Sequence, residues 1–172
     1  YKHGSYHNHN IPSPLIIDKR IAVCKKRASL TLLDTSSASP SVVYQKKRKE
    51  LDTVVGCGFA VHHDGFLYGV GNCFRLEDGA VRYPSPFLHA KWQQGADGGV
   101  ILVDGKLVMV TGSGSLIVAE PDPDTFTPLC QSDQIFTPRP EDKRIYVWAP
   151  PSFSDGRLFI RSTTELVCID MR

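Results

Sequence analysis

An all-β chain made from four copies of one antiparallel meander is predicted by two observations. A tight turn led by aspartate recurs at Asp18-Lys19, Asp64-Gly65, Asp104-Gly105 and Asp155-Gly156, at intervals of 46, 40 and 51 residues. Each turn lies between two short apolar runs, and a third run closes on an acid; this is the pattern of three strands joined by tight turns. Aligning the copies on the turn aspartate then gives regular columns. Arg20, Phe66, Lys106 and Arg157 stand two residues on, followed by Ile21, Leu67, Leu107 and Leu158. The third strand ends on Asp34, Glu77, Glu120 and Asp170, preceded by Leu33, Leu76, Ala119 and Ile169. A repeat of this length is that of a β-propeller blade, a small twisted sheet that hides both faces only by stacking on neighbours around an axis.

The opening residues 1–10, YKHGSYHNHN, have no periodicity and read as a loop or the end of a preceding blade. His3, His7 and His9 are imidazoles of the kind that bind transition metals, but their spacings of four and two lack a matching carboxylate or thiol, so a polar loop is the expectation. Residues 11–172 carry the repeats, with blades expected over 11–50, 56–90, 96–133 and 145–172. The clearest copy is GGVILVDGKLVMVTGSGSLIVAEPDPDTFTPL, residues 98–129. Its GSGS at Gly112 to Ser115 is expected to be a hairpin turn and not a phosphate cradle, because a strand follows it. A fourth, outer strand is expected after each of the first three meanders, at Ser41 to Gln45, Ala80 to Pro84 and Thr127 to Gln131. After Asp170 only two residues remain, so the last blade is expected to take its outer strand from elsewhere, as propellers do when they close.

His62 shares a column with Ile16, Leu102 and Phe153 and is expected to point into inter-blade packing, with His63 on the opposite face. The basic runs Lys25 to Arg27 and Lys46 to Glu50 read as solvated faces, since no interleaved aromatics accompany them. Two Pro-rich insertions, Asp122 to Pro128 and Phe136 to Pro151, are long enough to contact a partner.

Composition narrows the function further. The chain of 172 residues has 20 Lys and Arg against 18 Asp and Glu, net +2, too little to argue for nucleic acid or an anionic membrane. No apolar run reaches the roughly 20 residues of a membrane helix. Cys24, Cys57, Cys73, Cys130 and Cys168 are odd in number and lack CxxC spacing. They are expected to be mostly small buried residues. The sequence begins at Tyr1 without an initiator Met, and we read it as a processed chain or a piece of a longer one.

With these repeats in place, the chain resembles the PQQ-like β-propeller family, in particular bacterial proteins whose blades read DGKLYV…GELVALD. NHNIPSPLIID, DGFLYGVGN, the 98–129 stretch and DGRLFIRSTTELVCIDM carry the likeness, which spans Asn10 to Asp170. The resemblance implies a ring of six to eight blades and a periplasmic or extracellular location. Four blades are then about half a ring. We expect, in this order, a C-terminal part of a longer protein, two such chains completing one ring, or four blades closing alone.

Members of that family serve as quinoprotein dehydrogenases or as assembly scaffolds. The dehydrogenases clamp their quinone between a Trp floor and a vicinal disulfide, beside a calcium ion. This chain has no adjacent cysteine pair, and Tyr44 and Tyr83 stand near the place of the blade-ending Trp motif. Trp92 and Trp148 are more simply read as packing between blades. The expectation is therefore a non-catalytic protein-interaction or assembly scaffold. We assign it no catalytic, cofactor-binding or metal-binding residue and no cofactor; its partner is a protein or the remainder of the propeller. The alternative is a portion of a PQQ-dependent dehydrogenase whose cofactor site lies mostly outside this chain. Phe126, Phe136, Arg139 and Trp148 are the expected partner-binding anchors, aromatic and Arg side chains on the insertions.

Overall fold

The computed structural model describes residues 13–25, 29–51, 60–89, 98–137 and 145–172. Four antiparallel sheets follow one another along the chain. The first contains β1 (Leu15–Ile17), β2 (Arg20–Lys25), β3 (Ser29–Asp34) and β4 (Ser41–Lys47). The second contains β5 (Val61–His63), β6 (Phe66–Tyr68), β7 (Cys73–Arg75) and β8 (Val81–Tyr83). The third contains β9 (Gly98–Val103), β10 (Lys106–Thr111), β11 (Ser115–Ala119) and β12 (Pro128–Gln134). The fourth has three strands, β13 (Ser152–Ser154), β14 (Arg157–Arg161) and β15 (Leu166–Asp170). Each sheet pairs its strands in chain order, the arrangement of a β-propeller blade. A single helical turn, Arg48–Leu51, follows the first blade, and a 3-10 turn, Pro86–His89, follows the second.

The turns are built as the sequence requires. Asp18, Asp64, Asp104 and Asp155 all have positive φ, between 46° and 52°. Aspartate tolerates that conformation better than most residues with a Cβ, and in three turns a glycine with positive φ follows it. GSGS is the hairpin turn between β10 and β11, closed by the Gly114 N–H donating to the Thr111 carbonyl at 2.9 Å. The outer strands fall where expected, as β4, β8 and β12. Each carries a bulge at the same place. Leu32 and Leu33 face Tyr44 and Val42; Cys73 and Phe74 face Tyr83 and Val81; Val118 and Ala119 face Cys130 and Pro128.

The second blade departs from the sequence alignment. Ile21 pairs with Leu33, Leu107 with Ala119 and Leu158 with Ile169, but Leu67 pairs with Phe74 and not with a partner at Leu76. Arg75, not Glu77, therefore holds the place that Asp34 and Asp170 take in their blades. The column was misaligned by two residues because β7 is short and turns early. Arg75 donates to Asp78, and that guanidinium holds the Asp78 carboxyl well below the usual carboxylate range.

Packing explains why the strands read as apolar runs. Three core clusters fill the three junctions. Ala22, Leu30 and Leu32 of the first blade meet Leu67 and Phe74 of the second; Tyr68 and Cys73 meet Leu107, Met109 and Ile117 of the third; Val108 and Val110 meet Leu158 and Ile160 of the fourth. Hydroxyls tie the first two of these junctions. Tyr44 Oη donates to the Leu76 carbonyl at 3.0 Å, and Tyr68 Oη to the Pro121 carbonyl at 2.9 Å. Among the described residues no cluster joins the fourth blade to the first.

Cysteine burial is split. Cys24 and Cys73 are buried as expected, whereas Cys130 and Cys168 are exposed, because they lie on an outer strand and on the last strand. Cys57 lies outside the described residues. No helix among the described residues is long and apolar enough to cross a membrane.

Candidate partner-binding surface

Strand alternation gives each blade a face toward the preceding blade and a face toward the next. The preceding-side column begins with Ile21, Leu67, Leu107 and Leu158. Leu67 is 1% exposed, and Leu107 and Leu158 are fully buried, each under the blade before it. Ile21 is half-buried. Its register partners continue a row across the first blade, Ile16–Ile21–Leu33–Val42, with Ile16 74% and Val42 62% exposed. This row is an aliphatic blade face with no blade on it among the described residues.

The fourth blade's next-side face differs in kind. Where the first and third blades place Leu15 and Ile101, Ile17 and Val103, Cys24 and Val110, the fourth places Ser152, Ser154 and Arg161. Phe159, Cys168 and Leu166 form its apolar remainder.

Beside that face runs the second insertion. The Val147 N–H donates to the Gly112 carbonyl at 3.1 Å, and the Thr163 N–H donates to the Tyr146 carbonyl at 3.0 Å, so this stretch bridges turns of the third and fourth blades. Ile145 and Val147 face inward and are buried; Tyr146 and Trp148 face outward. Their rings lie 5.4 Å apart at 39°, and with Arg161, Ser162 and Thr163 they line an open cleft of about 290 Å³. An exposed indole beside a guanidinium and the exposed Thr163 hydroxyl offers stacking, charge and hydrogen bonding to one ligand; the Ser162 hydroxyl is buried and taken up by the Thr164 and Glu165 N–H groups.

The other anchors sit differently. Phe126 is half-buried against Tyr83 and Phe87, at 6.3 and 5.8 Å between ring centroids, and so packs the insertion onto the second blade. An ion pair between Arg82 and Asp124 holds the same contact. Phe136 is 3% exposed, in the core between the third and fourth blades. Arg139 and Trp92 lie outside the described residues, as do His3, His7 and His9. Of the anchors described, Trp148 has its ring largely in solvent, 53% exposed. Tyr146 and Arg161 were missed in the sequence. The alternation Ile145-Tyr146-Val147-Trp148 was the available signal, masked by the Pro-rich residues around it.

A second cleft, of about 640 Å³, opens between the first two blades beside Asp18, Arg20, Asp34 and His62. His62 is half-buried, with its Nε2 buried and without a partner among the described residues. Its column is less enclosed than expected. Leu102 and Phe153 are 37% and 39% exposed although a blade precedes each, because an innermost strand has no further strand beyond it; Ile16, at 74%, also has no blade before it among the described residues. Backbone and side-chain hydrogen bonds with Ser36 draw the Asp34 pKa below its ordinary value. Among the described residues no group of three or more His, Cys, Asp or Glu is placed to hold a metal ion.

No protein-family model matches the chain, and no curated protein matches it. Solved structures do. BamB from Moraxella catarrhalis superposes with a TM-score of 0.62 at 14% identity, over 94% of this chain and 46% of that one. The computationally designed Ika4 protein gives 0.60 at 10% identity, over 98% and 95%. A quinohemoprotein alcohol dehydrogenase from Pseudomonas putida HK5 gives 0.57 at 13% identity, over 93% and 32%. The chain thus spans less than half the length of BamB and a third of the dehydrogenase. At these identities the likeness is one of fold, and the fold is the β-propeller.

Proposed function

We propose that the chain is a non-catalytic propeller arc that works as a protein-interaction or assembly scaffold, and that further blades complete its ring. The observation that carries this reading is the uncovered row Ile16–Ile21–Leu33–Val42. At the other three positions of its column an aliphatic side chain is buried by a preceding blade, so another four-stranded sheet with an aliphatic next-side face is the cover that matches it. The fourth blade's next-side face, with Ser152, Ser154 and Arg161, is not such a cover, so the blade that meets the first comes from elsewhere and the fourth is the far end of the described arc. Trp148, flanked by Tyr146 and Arg161, is the anchor we assign to a protein partner at that end. The dehydrogenase alternative rests on fold likeness alone. A periplasmic or extracellular location fits the same likeness.

Native mass spectrometry tests the reading. The intact protein is expected to have a mass above that of one 172-residue chain. Where the added mass is a non-covalent assembly, Ile21→Glu with Leu33→Glu is expected to reduce it to the single chain without unfolding it, and where it is one longer polypeptide, to lower its denaturation midpoint. A native mass equal to one chain at micromolar concentration, unchanged by the double substitution, would overturn it.

A further inference from the structure

The cleft beside Trp148 is built over the ends of two sheets. The Val147 N–H reaches the Gly112 carbonyl in the β10–β11 turn, and the Thr163 N–H of the β14–β15 turn reaches the Tyr146 carbonyl. Ile145 and Val147 are buried and fasten this run from below, so Tyr146 and Trp148 point away from the core together. Blades stack through the faces of their sheets. These two rings stand over turns instead, and their exposure is not that of an uncovered blade face.

Among the described residues the cleft's one charge is positive. Its lining is Tyr146, Trp148, Ala149, Arg161, Ser162 and Thr163, with no carboxylate. Arg161 is exposed and makes no ion pair among the described residues. Glu165, the acid of the same hairpin, is committed elsewhere, its carboxylate accepting the Thr137 N–H at 3.0 Å. A guanidinium fork beside an exposed hydroxyl binds a carboxylate through charge-assisted hydrogen bonds.

The rings decide what accompanies that carboxylate. Their planes are tilted by 39° with centroids 5.4 Å apart, which makes a shallow trough and leaves no parallel slot for a flat base. A puckered pyrrolidine, with its CH₂ groups turned to the rings, fits a trough. At about 290 Å³ the cleft takes only a short piece of chain. A polyproline II segment is already extended before it docks, so it loses little entropy for so few contacts. Its threefold turn sets proline on one edge and an acid on another at the same level.

We propose that this cleft receives an acidic, proline-containing segment of a partner protein in the polyproline II conformation, with proline on Tyr146 and Trp148 and a carboxylate on Arg161. This assignment rests on the reading of Trp148 as a partner anchor and gives that partner its chemistry. The described residues hold one such run, Glu120 to Asp124 (EPDPD), and it is engaged. Its Pro121 carbonyl accepts from Tyr68 Oη, and Asp124 pairs with Arg82.

The test is isothermal titration calorimetry of the intact protein with the capped peptide PPEPPEPPE, against PPKPPKPPK and AAEAAEAAE. PPEPPEPPE is expected to bind about tenfold more tightly than either control, the factor carried by one charge-assisted contact or one aromatic anchor. Trp148→Ala and Arg161→Gln are each expected to weaken it about tenfold at an unchanged denaturation midpoint. Arg161→Gln decides alone if Trp148→Ala loses stability. Added salt is expected to weaken binding to the unsubstituted protein and to leave the residual binding of Arg161→Gln nearly unchanged. Equal binding of AAEAAEAAE removes the proline, and equal binding of PPKPPKPPK removes the carboxylate. Either result overturns the proposal, as does the absence of binding, binding that survives both substitutions, or Trp148-dependent binding of a single-stranded oligothymidine in preference to the peptide. The scaffold reading fails separately: a heavy native assembly that binds no peptide sinks the proposal alone, whereas a single-chain mass with peptide bound sinks ring completion alone.

Discussion

Leu107 and Ile21 occupy the same position of the repeat and differ in what lies above them. Leu107 is fully buried under the second blade, and Leu107→Ala is expected to cost about 2–5 kcal/mol, lost hydrophobic transfer plus a cavity. Ile21→Ala is expected to cost about 1 kcal/mol in the single chain, since its side chain already meets water. Urea denaturation of the two variants measures the difference; equal losses would mean that the first blade's face is covered after all. Burial also acts on the thiols. Desolvation pushes Cys24 and Cys73 up to about 12, from an ordinary 9.0. The unfolded chain ionises first, so it binds fewer protons than the folded one above pH 9, and stability falls as pH rises from about 9 to about 12. Below that window the two thiols add no pH dependence. Maleimide labelling at pH 8 is expected to modify Cys130 and Cys168 quickly and to spare Cys24 and Cys73 until the chain unfolds.

The elements are set by local chemistry and joined by a few polar ties. The Asp-Gly turns fix strand direction because their positive φ suits the twist of a tight hairpin. Gly98 starts β9 with φ 105°, where a Cβ would collide with the Val110 carbonyl oxygen of the paired strand. Each outer strand hangs on its blade by one edge, so contacts to the next blade matter to it. Tyr44→Phe removes the hydrogen bond to the Leu76 carbonyl and is expected to cost about 0.5–1.5 kcal/mol, without loss of fold. Circular dichroism with a denaturant midpoint checks this, and an unchanged midpoint would show that the hydroxyl contributes nothing to the junction. The misaligned second blade belongs at this scale too. A strand of three residues offers too little alternation to fix its register, and the acid at Glu77 drew the alignment past the true pair at Arg75.

At the scale of the whole molecule the clusters among the described residues form a line of three junctions, and each blade is held by its neighbours. Stability in such an array is a sum of blade and junction contributions, so the middle outlasts the ends. In the 172-residue chain by itself, amide exchange is expected to be slowest in β6 and β10, which have a blade on both sides, and faster in the first and fourth blades, each of which has one face without a blade among the described residues. Uniform protection across the four blades of that chain would instead mean that they close on themselves.

The repeat, the blade count, the strand order and the turns were legible in the sequence, because hairpins and alternating apolar runs are decided by residues within a few positions of one another. Which blade face is covered, the true register of β7, the burial of Phe136 and the exposure of Trp148 were decided only by the tertiary structure. These depend on contacts between segments far apart in the chain, such as Val147 with Gly112 and Tyr146 with Thr163, and no local pattern of residue types records which surfaces will meet.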